Sequence, residues 1–523
     1  MCLDIAIYNA NVYTMNPRCP WAQAVGIKGD RVAIVGDTAS IKRACSSSTA
    51  KIDANEQVML PGFIDAHTHF RSMGVSLNNY LDLGSATSKQ DLLQRLKLSV
   101  QKKKPTGWVI GAGWDESKWS SGDCTFMTAE EIDVVVSELP VALERIDGHL
   151  YCVNGQALDM LSLDESVRGF EIEEGKPTGR LFEDATARVR KAIRADQQQS
   201  ITAIKRATEH AYRHGVTSIH QMVVEEEEFR DDLKSYQNLW SDNRLGIRVR
   251  LYFTPNVLDE LIAIGLSSGF GDSKLRVGGL KLFTDGSIGA KTAWVAEGYR
   301  DNPENKGMAL WDCEELRTLM KKSHDSGIQL AVHAIGTQAL EQVITCLEAV
   351  PPTARETHLR HRIEHDEMLT RHQVERINQL RAITSMQPNF TGKWGLPGEM
   401  YEQRFGRERI ETMNPLRWIV DSGITLALGS DCMPFGPLYG VHWAINAPFE
   451  SQRLSVAEAL RAYTMGGAFA GNAEQEVGSI EPGKLADLIL LDENPFLDPT
   501  SIKDMKVQLT IFNGQVVYRA NEQ

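Results

Sequence analysis

Two histidines one residue apart, His67 and His69, close the stretch Met59-Leu60-Pro61-Gly62-Phe63-Ile64-Asp65-Ala66-His67-Thr68-His69-Phe70. In an extended strand, residues i and i+2 face the same side. Both imidazoles would therefore leave together, near enough to grip one cation, and neutral imidazole is the commonest metal ligand among side chains. Two ordinary histidines at a strand end would show the same spacing, so the rest of the chain has to decide. Leu330-Ala331-Val332 runs into His333, and Arg360-His361-Arg362-Ile363-Glu364 runs into His365. Leu426-Ala427-Leu428-Gly429-Ser430 runs into Asp431, and the apolar run Val277 to Phe283 contains Lys281. One histidine at a strand end is usually structural, and a lone lysine in a strand usually snorkels or pairs. Four such residues in the same topological place, added to His67-x-His69, are hard to dismiss together.

The elements that must position these residues repeat one pattern. Ser200 to His214 reads as a helix, Gly215 stops it, and Val216 to His220 is extended. Glu314 to Ser326, Gly327 and Ile328 to His333 repeat the unit, as do Leu416 to Ser422, Gly423 and Ile424 to Leu428. A helix, a terminating glycine and a buried strand form an αβ unit, and alternating units imply a parallel sheet. The reading is an α/β fold with a (β/α)8 barrel over residues 57–474, interrupted by an insertion at about 104–200 that caps the barrel mouth. The ends of the chain differ. Ala24 to Val35 around Lys28-Gly29-Asp30, and Val507 to Tyr518 around Asn513-Gly514, read as hairpins. Neither end has strands enough to stand alone, so residues 1–56 and 475–523 are expected to form one small composite β-sandwich. Glu225 to Glu228 reads as a solvated helix start.

At 523 residues the chain can bury a large core. Its net charge of −13 and pI near 5.6 argue against nucleic-acid or anionic-membrane partners, which need basic patches. A small-molecule substrate is the expectation, with a homodimer as the ordinary oligomeric state. No run reaches transmembrane length and the N-terminus carries no signal-peptide pattern. Eight dispersed cysteines without a Cys-x-x-Cys pair fit a reducing compartment better than a disulfide framework. The expected location is the cytoplasm.

Taken in order, several pieces resemble the metal-dependent amidohydrolase superfamily, in the branch typified by N-substituted formamide deformylase. They are Leu60-Pro61-Gly62-Phe63-Ile64-Asp65-Ala66-His67-Thr68-His69, Gly113-Trp114-Asp115, Asp147-Gly148-His149, Gly215-Val216-Thr217-Ser218, Lys281-Leu282-Phe283-Thr284-Asp285-Gly286-Ser287, His333-Ala334-Ile335-Gly336, Arg362-Ile363-Glu364-His365, Gly429-Ser430-Asp431 and Gly478 to Asp487. The resemblance implies that His67 and His69 hold one divalent metal, and that His333 and His365 hold a second. Lys281 would bridge them, as the amine or as an Nζ-carbamate. Asp431 would touch the first metal and shuttle the proton. One or two ions are implied, zinc first, with iron, manganese and nickel open. The implied chemistry is hydrolysis of a non-peptide C–N bond (amide, N-formyl amine or cyclic amide) by a metal-bound hydroxide.

Trp114, His149, His220 and Gln387 are candidate substrate contacts. His149 could meet a carbonyl or an anion, or be a satisfied loop histidine. His220 is followed by Gln221 where relatives are expected to carry Asp. Trp119, Trp394 and Phe435 could form apolar walls or simply core. Cys432 has no accompanying base and reads as a packing neighbour, and Asp431 could instead cap a helix. Two other functions stay open: a mononuclear deaminase of the same superfamily, and a non-catalytic scaffold on the same fold.

Overall fold

Eight parallel strands form one sheet in strict chain order: β1 (Phe63–Thr68), β2 (Val216–Met222), β3 (Arg248–Phe253), β4 (Leu275–Phe283), β5 (Gln329–Ala334), β6 (Arg362–His365), β7 (Ile383–Met386) and β8 (Leu426–Leu428). The computed structural model describes residues 2–105, 107–119, 125–193, 196–223, 228–350 and 359–520. The last strand returns to the first. Asp431 N–H donates to the His67 carbonyl at 2.9 Å, and Ser430 N–H donates to Asp65 Oδ1 at 2.9 Å. The expected (β/α)8 barrel is thus present. Seven of its strands are buried along their whole length, as in Val216–Met222 and Gln329–Ala334, and β4 is buried over residues 278–282, because helices cover the outer face and side chains fill the interior. The helix–glycine–strand units lie where the sequence put them. Gln197–Arg213 and Cys313–Asp325 end before Gly215 and Gly327, which turn into β2 and β5 at φ of +71° and +74°, a conformation glycine adopts without strain.

Both ends of the chain meet beside the barrel. A four-stranded sheet comes from residues 5–53. A six-stranded sheet joins Asn11–Tyr13 and Trp21–Ala22 to Leu488–Leu491, Val507–Phe512 and Gln515–Arg519. Ile7, Val25 and Ile27 of one sheet share a core with Val12, Met59, Leu488, Leu490 and Ile511 of the other. Val58–Pro61 pairs in this second sheet with Asn11–Tyr13 and Leu488–Leu491, so the terminal unit runs past residue 56 and hands over to β1 at Gly62. A Cβ there would lie 2.3 Å from Thr217 Oγ1, which is why only glycine fits. The two units are also clasped by Arg248, whose Nε and Nη2 donate to Asp487 at 2.6 and 2.9 Å in a buried bidentate pair.

The cap over the barrel mouth is larger than expected. Its six-stranded sheet begins at Leu81–Asp82 and runs to Lys176–Phe182. The helix Lys89–Lys103 belongs to it rather than to the barrel, since Leu92 and Leu96 pack with Val109, Trp114 and Leu143. Ser88 caps that helix by accepting from Asp91 N–H at 3.0 Å. The helix after β2 starts at Glu228, and Glu225 to Glu227 lie outside the described residues. No helix among the described residues is long and apolar enough to cross a membrane. Their seven cysteines are free; Cys124 lies outside them.

Candidate metal centre

His67 is fully buried at the end of β1. Its Nδ1 lies 2.6 Å from Glu364 Oε2 on β6, so Nδ1–H donates to the carboxylate and the Nε2 lone pair faces the barrel axis, 3.0 Å from Lys281 Nζ. His69 Nδ1–H donates to the Met222 carbonyl at 3.0 Å. Its Nε2 then faces Asp431 Oδ1 at 3.0 Å, and His67 Nε2 is 3.7 Å from the same oxygen. With both Nδ1 protons committed elsewhere, two imidazole lone pairs and a carboxylate oxygen converge, a cluster that favours a cation, and the Lys281 amine lies at its edge, 3.0 Å from His67 Nε2. One donor atom from each of His67, His69 and Asp431 lies within 4.8 Å of the other two.

The electrostatics suit a cation. Burial, reinforced by the Lys281 charge, pushes His67 down to about 4, so the ring is neutral at pH 7. Burial would raise the Glu364 carboxyl, but Arg362 and His67 hold it far below the usual carboxylate range. Arg362 makes a two-pronged contact with that carboxylate. For Asp431 too burial opposes ionisation, and the positive charge of Lys281 helps to keep it below its ordinary value.

A second pair of donors stands beside the first. His333 Nε2 donates to the Gly286 carbonyl at 3.1 Å, which leaves its buried Nδ1 without a partner. His365 Nδ1 donates to Gln387 Oε1 at 2.8 Å, freeing Nε2. The His333 and His365 rings are 4.5 Å apart, and His365 is 4.8 Å from His67. Lys281 is 1% exposed in β4, and burial brings its amine down to about 8. The backbone is bent to serve this corner. Strand alternation would send Glu364 and His365 to opposite faces, but His365 and Asp366 have φ of 77° and 53°, and Asp431 and Cys432 have 52° and 61°. Such values in non-glycine residues are costly and cluster at functional sites. Four imidazoles with oriented lone pairs, each braced by an outer acceptor, together with the Asp431 carboxylate, suit a divalent ion.

Above these residues is a chamber of about 80 Å³ that opens into an outer cleft of about 640 Å³; both are bordered by His69, His149 and Asp431. Phe283, Phe390, Trp394 and Tyr401 give the chamber an aromatic wall, with the Phe390 ring parallel to His365 at 6.0 Å. His149 stands in the wall; the other three expected substrate contacts do not. Trp114 is sealed in the core of the cap and donates Nε1–H to the Leu143 carbonyl. His220 lies inside the barrel, with Nδ1 accepting from Arg362 at 2.7 Å. Gln387 braces His365. Trp119 is cap core, Phe435 packs on His210 and His214, and Asp431 caps no described helix. Sequence reasoning missed Glu364, Arg145, Glu183 and the aromatic pair Phe390 and Tyr401. Of these, Glu364 left a trace, as a charge inside a barrel strand two residues from Arg362.

A model of the amidohydrolase family matches residues 50–518. The chain belongs to that family. This amidohydrolase is 30% identical over 536 residues to the amidohydrolase YtcJ of Bacillus subtilis, covering 97% of this chain and 98% of the relative. It is 25% identical to the N-substituted formamide deformylase of Arthrobacter pascens, covering 98% of each chain. The crystal structure of a metal-dependent hydrolase from Pyrococcus horikoshii superposes with a TM-score of 0.77 at 30% identity, over 95% of this chain and 99% of that one.

Proposed function

We propose that this amidohydrolase hydrolyses a non-peptide C–N bond in a small amide, N-formyl amine or cyclic amide. The observation that carries the reading is the convergence of the His67 and His69 lone pairs on Asp431 Oδ1, beside the unpartnered Nδ1 of His333. His67, His69 and Asp431 would hold one divalent ion, zinc by preference, and His333 and His365 a second, with Lys281 between them as the amine or its carbamate. A bound ion supplies Lewis acidity and lowers the pKa of water towards 7. The chain does the rest. Glu364, Met222 and Gln387 hold the imidazoles in one tautomer. Asp431 takes the proton of the attacking water and returns it to the leaving nitrogen. The aromatic wall excludes bulk water from the reacting atoms. Screening metal-reconstituted protein against N-acyl and N-formyl amines, cyclic amides and amino-acid amides tests this. Release of amine from at least one class is expected, and no C–N cleavage across the panel refutes it.

A single-ion deaminase is the second reading, favoured by the fact that His67, His69 and Asp431 form a self-sufficient three-donor group. Lys281→Ala separates the two: full metal content and full activity in that variant would favour the deaminase. A scaffold role would not need six donors kept in register.

A further inference from the structure

His149 is brought to the metal pocket by the cap, not by the barrel. Its ring lies 6.2 Å from that of His333, and it borders both the inner chamber and the outer cleft. It is held unusually firmly. Nδ1 is 2.9 Å from Glu183 Oε2, and the backbone N–H donates to Asp147 Oδ1 at 3.3 Å. The two carboxylates are themselves fixed by the loop that follows the Lys281 strand: Thr292 Oγ1 donates to Glu183 Oε1 at 2.6 Å, and Ser287 Oγ donates to Asp147 Oδ2 at 2.8 Å. Glu183 sits at φ 41°, ψ −110°, a strained conformation for a residue with a side chain. Nε2 makes no hydrogen bond to the described protein and faces the cavity. Arg145, a second cation of the chamber wall, is not available in this way, because Glu116 takes its Nε and Nη2 at 2.9 and 3.1 Å and Asp147 lies 2.8 Å from Nη1.

We propose that His149 is a catalytic residue that donates Nε2–H to the oxygen of the substrate carbonyl as it becomes an oxyanion, and that Glu183 is its positioning residue. The inference rests on the amide-hydrolase reading above and narrows it to substrates whose reacting carbon carries a carbonyl oxygen. Water oxygen adds to that carbon and the C=O π pair moves onto oxygen, where the Nε2–H stabilises it without being transferred. The pair then returns, the C–N bond breaks, and Asp431 delivers to nitrogen the proton it took from water. A fixed donor aimed at developing charge is among the strongest catalytic devices. The groups facing the ring are Glu183, Asp147, Arg190 and His333. Burial and Arg190 oppose its charge, and the two carboxylates more than offset them, raising it to about 9.

The test uses the full-length, metal-loaded protein and compares wild type with His149→Ala, His149→Gln and Glu183→Gln. Calorimetric titration with methylphosphonate, a tetrahedral oxyanion, needs no turnover. At pH 7 the two His149 variants are expected to bind it at least tenfold more weakly at unchanged metal content. On the best substrate of the amide panel, kcat is expected to drop by about 10²–10³-fold, with KM within a few-fold. Glu183→Gln should move the alkaline limb of kcat downward by a unit or more. Methylphosphonate affinity within twofold of wild type in His149→Gln, loss of metal from that variant, or an unmoved limb in Glu183→Gln would each overturn the proposal. If no panel member is cleaved, the parent reading fails, and the methylphosphonate comparison still decides the role of His149.

Discussion

Glu364 Oε2 and His67 Nδ1, 297 residues apart in sequence, meet at 2.6 Å with neither side chain exposed to solvent. The contact sets which nitrogen of His67 can face the pocket. Braces of this kind commonly carry 10–100-fold in metal affinity.

Glu364→Gln should therefore keep the fold and weaken metal binding by about 10–100-fold, measured by competition with a chromophoric chelator. An unchanged affinity would mean that the His67 tautomer is not set by Glu364. The glutamine is preferred to alanine because it keeps the side-chain volume and a carbonyl oxygen to which Arg362, buried against the same group, can still donate.

Lys281→Ala should lower the metal content of a two-ion protein to one ion per chain or fewer, with activity falling alongside, read by elemental analysis and turnover on the same preparation. The expectation follows from the place of Lys281 between His67 and the His333–His365 corner.

Asp487→Ala removes one half of the buried clasp between the terminal sheets and the barrel. Breaking a buried ion pair from one side costs about 3–5 kcal/mol, because Arg248 keeps its charge and loses its carboxylate. Urea unfolding should show that loss, with the barrel and the terminal sheets no longer melting in one transition.

The Glu183–His149 pair makes stability depend on pH with a definite sign. The folded-state value of His149 is raised from 6.5 to about 9. The stabilisation is therefore complete below about 6.5 and fades as pH rises through about 9. Glu183→Gln should cost about 1–3 kcal/mol at pH 6 and close to nothing at pH 10, read from thermal melts at the two values. An equal cost at both would assign Glu183 to packing alone.

The barrel was legible because its signals are local: apolar runs, a glycine after each helix, and polar residues at strand ends. The inner donors were legible for the same reason, since all six lie within or at the end of a barrel strand. What escaped was non-local. Nothing in Trp114 distinguishes a cavity wall from the core of the cap, where its indole N–H found the Leu143 carbonyl. His220 lies within β2 and Gln387 just past β7, as the donors lie on their strands, yet one is turned to Arg362 and the other to His365. The helix Lys89–Lys103 packs on the cap sheet, which begins at Leu81, and an apolar stripe such as Leu92, Leu96 and Val100 fits a barrel and a separate sheet equally well. Glu183 could not be paired with His149 from sequence, because the pairing depends on how the cap sheet folds over the loop after β4.

The central claim is that His67, His69 and Asp431 make a metal site that the chemistry requires. Elemental analysis of the purified protein beside His67→Ala, with turnover before and after chelation, tests it most directly. The prediction is at least one divalent ion per wild-type chain, removed by chelator or by His67→Ala together with activity, and activity restored to the chelated wild type by re-added metal. A wild-type protein with less than one ion per chain that stays fully active under chelation would contradict it.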